Sequence, residues 1–581
     1  MKSKIHSNRT YRGVSEVLTT LEKAAQTTNS HLVDLHEVFR WENWNAFQRI
    51  YGGENPFVDD VGSQLFDADL ISRFMASTFE LDAIAWMLSV LLESANGMRM
   101  YFMSTREQIV AKISNGLNSL PGELLANIFR FAVQEEGENG GRQAIWLSHV
   151  SRRFRTVALE ARALWTTLHS SDSEVQLQTF FCRAGANEKF HAFAHYDLRI
   201  KAFGIGWYPN TCLPVISRWK KLTLTQDEPS SIWEIARPNF GGVALLLWKL
   251  NDFFSEENYQ LPLLEELDIR GHREDIYEYF REHEGEQPAH EWASHLRTLR
   301  CSHFLPSPSV NFSSVSQFIF MQDLSEYKQY LRSLLTFLIA LPNLCFLELE
   351  IQSADEVFPG DGSGPLPLVE CHFITSFQLR LRQFSIFRFC EESYITTLMN
   401  AIRVPSLEDL SISAGLWDSS LERGKFDPAE WTEYLYDLSA ALLPDHLSIS
   451  SRLTSLSFKL FCDGNPDLPL LLDGRALNIS LDRIKKFPTI TLSSFIRVLF
   501  TRECEDAQEW CADLRKTSRL REIRFIGFKN MAPLDLQWTT WSLGLFRVWK
   551  SIERVEVENC KHLVREDVVK IVGEDRLRYS D

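Results

Sequence analysis

The sequence contains no C-x-x-C pair, no apolar run of membrane length and no surplus of basic residues. Each absence excludes a class of protein. Without paired spacing, the ten cysteines offer neither a zinc ribbon nor a thioredoxin-like redox motif. They sit singly in apolar contexts, as Cys345 does in NLCFLEL, and read as buried reduced thiols of a cytosolic or nuclear protein. The longest apolar run, residues 84–92, falls far short of the roughly 20 residues that a membrane helix needs. The opening MKSKIHSNRT holds no apolar signal core, so the sequons at Asn8, Asn311 and Asn478 read as chance matches. Acidic residues outnumber basic ones by 77 to 61, giving a net charge of −16. Phosphate binding needs a basic face, so nucleic acid is not expected as the main partner, nor is an anionic membrane.

Motifs of catalysis are missing as well. No phosphate-cradling G-x-x-x-x-G-K-[ST] or G-x-G-x-x-G occurs, no G-x-S-x-G elbow and no H-E-x-x-H helix. His272, His283, His290 and His295 cluster among acidic residues, but at no zinc spacing, and read as a solvated loop and helix face. No cofactor, metal or catalytic set is expected, and the chain is not read as an enzyme.

What is there begins with length. A chain of 581 residues exceeds one compact core and implies several domains or a solenoid. Residues 1–115 are helical by pattern, with apolar repeats at helical spacing at 14–25 and 32–39. Residues 81–92 are apolar nearly all round and are expected to form a buried helix. No function is assigned to this region.

Residues 118–168 read NSLPGELLANIFRFAVQEEGENGGRQAIWLSHVSRRFRTVALEARALWTTL. Pro121 with Glu123 two residues on marks a helix start, since proline tolerates the first helical position and a carboxylate suits the positive end of the dipole. Leu124, Leu125, Ile128, Phe129 and Ala132 follow at helical spacing, and the glycine-rich run 134–142 reads as a breaker. A second pattern places Leu147, Val150, Phe154 and Val157 on one side. The ordered set L-P-x-E-L-L-x-x-I-F, L-S-H-V-S-R-R-F-R and A-L-W-T-T-L resembles an F-box, most of all the F-box-like domains of mushroom-forming fungi. Phe154 stands where many relatives carry Trp, and the 134–142 insert lengthens the first loop. The resemblance implies that Leu120, Pro121, Leu124, Leu125, Ile128, Phe129, Val150 and Phe154 form the surface for a Skp-family adaptor together with the small core behind it.

After residue 171 one string recurs, L-x-x-L-x-L. It appears at Leu264/Leu267/Ile269, Leu296/Leu299/Cys301, Val315/Phe318/Phe320, Leu344/Leu347/Leu349, Leu381/Phe384/Ile386, Leu407/Leu410/Ile412, Leu453/Leu456/Phe458, Leu520/Ile523/Phe525 and Ile552/Val555/Val557. Trp219/Leu222/Leu224 opens the series, and Ile484/Phe487 is a fragment of another. The last two positions lie two apart, as strand side chains on one face do. One strand cannot bury that face alone, so neighbours must stack. Helical patterns lie between, and Pro262, Pro342 and Pro405 precede strands. The expected fold is α/β: a helical N-terminal region (1–115), a three-helix F-box-like domain (116–170) and an irregular leucine-rich-repeat solenoid with a parallel sheet (171–581).

Residues alternating with the core, such as Thr223 and Asp268, are expected on an open polar face. Phe346 and Phe387 stand out there as two aromatics on neighbouring strands. With Glu348 and Glu350 they form the expected substrate site, one that favours a basic partner segment. A loop folded over both rings is the competing arrangement. The resemblance implies a substrate-recognition subunit of a cullin–RING (SCF-type) ubiquitin ligase, holding a protein target and, through the adaptor, a cullin. The alternatives are an F-box scaffold outside ubiquitination and an enzyme hidden in the inter-repeat segments.

Overall fold

The computed structural model describes residues 68–196, 207–226, 242–256, 259–271, 291–306, 312–323, 330–352, 366–384, 394–416, 428–444, 446–447, 452–462, 476–502 and 518–580. The helical patterns expected at 14–25 and 32–39 lie outside these residues, as do Phe387, Cys390, Cys504 and Cys511. The chain is mixed α/β with a large parallel sheet, and it divides into two compact units after Leu125.

The first unit carries α1 (Ala68–Ser119), one helix of 52 residues. Residues 81–92 are helical as expected, but burial fails: Trp86 is 70% exposed and Leu92 64%. An all-round apolar sequence sets helix formation; it does not supply the element that covers it. Among the described residues no helix is long and apolar enough to cross a membrane.

The helices that follow are α2 (Gly122–Glu135), α3 (Gly140–Val150) and α4 (Arg152–Glu160). The run 134–142 is shorter as a breaker than its glycines imply. It holds one 3-10 turn, Gly137–Asn139, and its last two glycines open α3. They are needed for close approach. A Cβ on Gly140 would lie 2.8 Å from the Val133 carbonyl, and one on Gly141 2.9 Å from the Phe180 ring. The Ser151 hydroxyl caps α4 by accepting from the Phe154 N–H at 3.1 Å. Trp165 is fully buried, donates from Nε1 to the Ala158 carbonyl at 2.8 Å, and lies 4.2 Å beneath the Arg183 guanidinium.

Fourteen strands then form one all-parallel sheet whose spatial order follows the chain. The first part runs β1 (Thr167–His169), α5 (Glu174–Ala184), β2 (Phe190–Tyr196), α6 (Trp207–Cys212), β3 (Trp219–Gln226), α7 (Gly242–Glu256), β4 (Glu266–Arg270), β5 (Thr298–Ser302) and β6 (Gln317–Asp323). Next come α8 (Tyr330–Ile339), β7 (Phe346–Gln352), β8 (Val369–Glu370), β9 (Ser376–Phe384), α9 (Tyr394–Ala401), β10 (Ile402–Arg403), β11 (Asp409–Leu416), α10 (Pro428–Leu442) and β12 (Ser455–Cys462). The last part is β13 (Ala476–Ser480), α11 (Leu481–Ile484), β14 (Thr489–Ser494), β15 (Arg497–Thr501), β16 (Glu522–Ile526), α12 (Pro533–Leu545), β17 (Arg554–Glu558), α13 (Arg565–Val572) and β18 (Leu577–Ser580). Two short parallel pairs, β8 with β10 and β13 with β15, stand apart from the main sheet.

Register explains the strings. Leu222, Leu267, Leu299, Phe318, Leu347, Phe377, Leu410, Leu456, Ile490, Ile523 and Val555 are consecutive cross-strand partners and all are buried. Helices cover this apolar face: Phe337 of α8 packs 5.2 Å from Phe318, and Phe254 of α7 6.4 Å from Trp219. Two expected strings are corrected. On β9 the core residues are Phe377, Leu379 and Leu381, so the string is Ile374/Phe377/Leu379 and not Leu381/Phe384/Ile386. On β14 it is Phe487/Ile490/Leu492, three residues beyond the fragment at Ile484. The corrections even out the spacing: Ile374 follows Leu344 by 30 residues and precedes Leu407 by 33, where 37 and 26 were expected.

Candidate functional site

On the first unit, Leu120 is half-buried, Pro121 and Leu124 are exposed, and Leu125 is buried. The Pro121 carbonyl accepts from the Leu125 N–H at 3.1 Å, and Glu123 lies in the first turn of α2. On the second unit, Ile128 and Val150 are exposed while Phe129 is buried, its ring 4.8 Å from that of half-buried Phe154. The expected adaptor set therefore separates by role. Pro121, Leu124 (50% exposed), Ile128 (43%) and Val150 (64%) present apolar surface to solvent, whereas Leu125 and Phe129 are core and offer none. Phe131 and Trp146, which sequence reasoning did not single out, are exposed too. Their signal was available: large aromatics off the helical core stripe.

The polar face of the sheet is not open throughout. Phe193, Thr223, Thr225 and Asp268 point away from the apolar core rows yet are buried, contrary to the expectation for this end. His191 Nε2 lies 2.8 Å from the Thr223 hydroxyl and His195 Nδ1 3.0 Å from the Thr225 hydroxyl. Burial, aided by Lys221 and Arg270, pushes His191 down to about 3. Burial and then His195 and Arg142 push His169 down to about 4. Both imidazoles are neutral at physiological pH.

Further along, Phe346 is half-buried, and its cross-strand partners are Gln317 and Ser376. Phe387 lies outside the described residues. Glu348 and Glu350 are on the polar face as expected, but they are not free to attract a basic segment. Arg380 stands 3.0 Å from Glu348 and Arg382 2.8 Å from Glu350. The arginine side chains are 45% and 51% exposed, and the carboxylates only 12% and 18%. Reasoning from the string missed both arginines. It took the strand from Phe384 and Ile386, with Gln383 on the polar face, and a shift of one residue exchanges the two faces of a strand.

Among the described residues no group of three or more His, Cys, Asp or Glu is placed to hold a metal ion. His272, His283 and His290 lie outside them. Among the cysteines, Cys212, Cys301, Cys371 and Cys560 are buried free thiols; Cys182 and Cys345 are exposed, against expectation. Burial raises Cys212 to about 12 and Cys371 to about 11, which holds both as inert thiols. No protein-family model matches the chain, and no curated protein matches it.

Proposed function

We propose that the chain is the substrate-recognition subunit of a cullin–RING (SCF-type) ubiquitin ligase. In this reading residues 116–170 are an F-box-like domain that docks on a Skp-family adaptor. Residues 171–581 are a leucine-rich-repeat-like solenoid that holds a target protein. One observation carries it: apolar side chains at F-box motif positions, Pro121, Leu124, Ile128 and Val150, are left in solvent while their neighbours Leu125 and Phe129 form core. Exposed apolar area costs about 25 cal/mol per Å², and a partner surface recovers that cost. The sequential parallel strands supply a platform whose polar side, beyond the covered end at β2 to β4, would take a target. The protein would make and break no bonds; it would raise the concentration of a target beside the ligase.

Co-purification of the full chain with a Skp-family adaptor and a cullin tests the reading. Replacing Leu120 and Pro121 by Ala is expected to cut adaptor capture while the sheet stays folded. Leu124→Ser and Ile128→Ser, both exposed, are expected to do the same. Adaptor capture equal to wild type in all of these variants sinks the assignment, and capture of the adaptor with no cullin favours a scaffold instead.

A further inference from the structure

The polar face of the sheet has a vertical order of charge. At β7 and β9 the carboxylates of Glu348 and Glu350 lie low and Arg380 and Arg382 stand over them. The same order returns at β16 and β17. Arg524 meets Glu522 at 3.0 Å and Glu556 at 3.2 Å, and its side chain is 39% exposed against 15% and 13% for the two carboxylates. Arg554 and Arg578 approach the same pair of carboxylates from either side, at 3.8 Å and 3.6 Å, and are more exposed still. In a chain of net charge −16, the guanidinium groups of these two ladders stand further into solvent than the carboxylates they pair with.

The strands between the two ladders, β11, β12 and β14, carry small hydroxyl side chains on this face, with Lys459 exposed in their middle. Lys459 has no carboxylate partner among the described residues; its ammonium stands 5.5 Å over the Phe461 ring. Asp409, at one edge, is exposed, and its Oδ1 accepts from the Thr454 and Ser455 hydroxyls. Four strand spacings separate Arg380 from Arg524, about 19 Å at about 4.8 Å each, which is the reach of roughly six extended residues. Each guanidinium has more donors than its pairs use: Arg382 meets Glu350 through Nε, leaving its terminal nitrogens for a second, bidentate carboxylate.

We propose that the polar face of the sheet from β7 to β17 docks an acidic, carboxylate-rich segment of a partner polypeptide. Arginines standing above a layer of carboxylates grip it at both ends, and Lys459 holds it between them. The proposal deepens the target-binding reading above and rests on it only in calling the partner a ligase target. The low carboxylates have a definite role: they hold the guanidinium groups upright and fix the orientation of their unused donors. At either ladder a basic segment would meet arginine first and be repelled.

The test uses the full chain and a fluorescein-labelled polyglutamate peptide, read by fluorescence anisotropy at low salt. Binding is expected to weaken steeply as salt is raised and to fall about tenfold in Lys459→Glu, a change that breaks no ion pair among the described residues. Arg380→Gln with Arg382→Gln is expected to weaken it as well. No polyglutamate binding overturns the proposal, as does equal binding by wild type and Lys459→Glu. Tighter binding of polylysine or of a single-stranded oligonucleotide overturns it too. Adaptor capture measured on the same preparations keeps the two readings apart. A chain that binds polyglutamate through Lys459 but captures no adaptor upholds the face and overturns the ligase reading.

Discussion

His191 sits on the polar side of β2 with Nε2 against the Thr223 hydroxyl, a side chain itself wholly buried. Its folded pKa of about 3, and that of His169 at about 4, lie below the ordinary histidine value of 6.5. The unfolded chain therefore takes up these protons before the folded chain does. The stability the neutral rings allow is complete above about pH 6.5 and declines as the pH falls, by about 1.4 kcal/mol per pH unit for each imidazole. The decline ends for His169 near its folded value of about 4 and for His191 near about 3. Thermal melts between about pH 7 and about pH 5 are expected to show this acid loss, and His191→Gln, which keeps a partner for Thr223, is expected to flatten it. Equal slopes in the two proteins would refute the assignment. None of this is legible in the sequence, where HAFAHY reads only as an alternating strand. The alternation tells which residues share a face. It does not tell that this end of the polar face is covered.

At the scale of elements, β9 shows how a string misleads. RLRQFSIF offers leucine and phenylalanine at the right offsets, while the true string, ITSFQL, has a single leucine. The chain around Gln383 settles the matter: its φ of +50° ends the regular alternation, which already has Leu381 in the core. Phe377→Ala is accordingly expected to cost about 3–5 kcal/mol and Leu379→Ala about 2–5, whereas Ser376→Ala on the opposite face stays within about 0.5. Urea unfolding midpoints of the three variants check this, and a neutral Phe377→Ala would return the core to the later string. Nine strings did place their strands correctly, because two apolar positions at spacing two are the strand's own geometry. The helix start at Pro121 was legible for the same kind of local reason. Coverage of α1 was not, since periodicity carries no information about what lies against an apolar surface.

Across the second unit as a whole, each strand of the main sheet pairs only with the strands next to it in space, and that order is also the order of the chain. Stability in such an arrangement is a sum of local terms and nearest-neighbour interfaces, so a defect weakens its surroundings first. Phe525 makes a clean defect. It is buried on β16 between Leu492 of β14 and Val557 of β17, and its ring lies 5.9 Å from that of Phe528. Phe525→Ala removes contacts to those strands and to nothing at the other end of the sheet. Amide hydrogen exchange is expected to quicken in β14, β16, β17 and β18, while β3, β4 and β5 keep their wild-type protection. The gradient should fade over one or two strands on either side, since coupling passes only through shared ladders. Exchange that rises equally in β3 and β17 would mean that the sheet opens as one cooperative body, and the nearest-neighbour account would fail. The polar-face charge ladders sharpen the expectation, because Glu522 and Glu556 tie β16 and β17 to each other through Arg524. Loss of Phe525 should therefore free these two strands together, ahead of β14, whose cross-strand partners on that face are Thr489 and Thr491 and carry no charge.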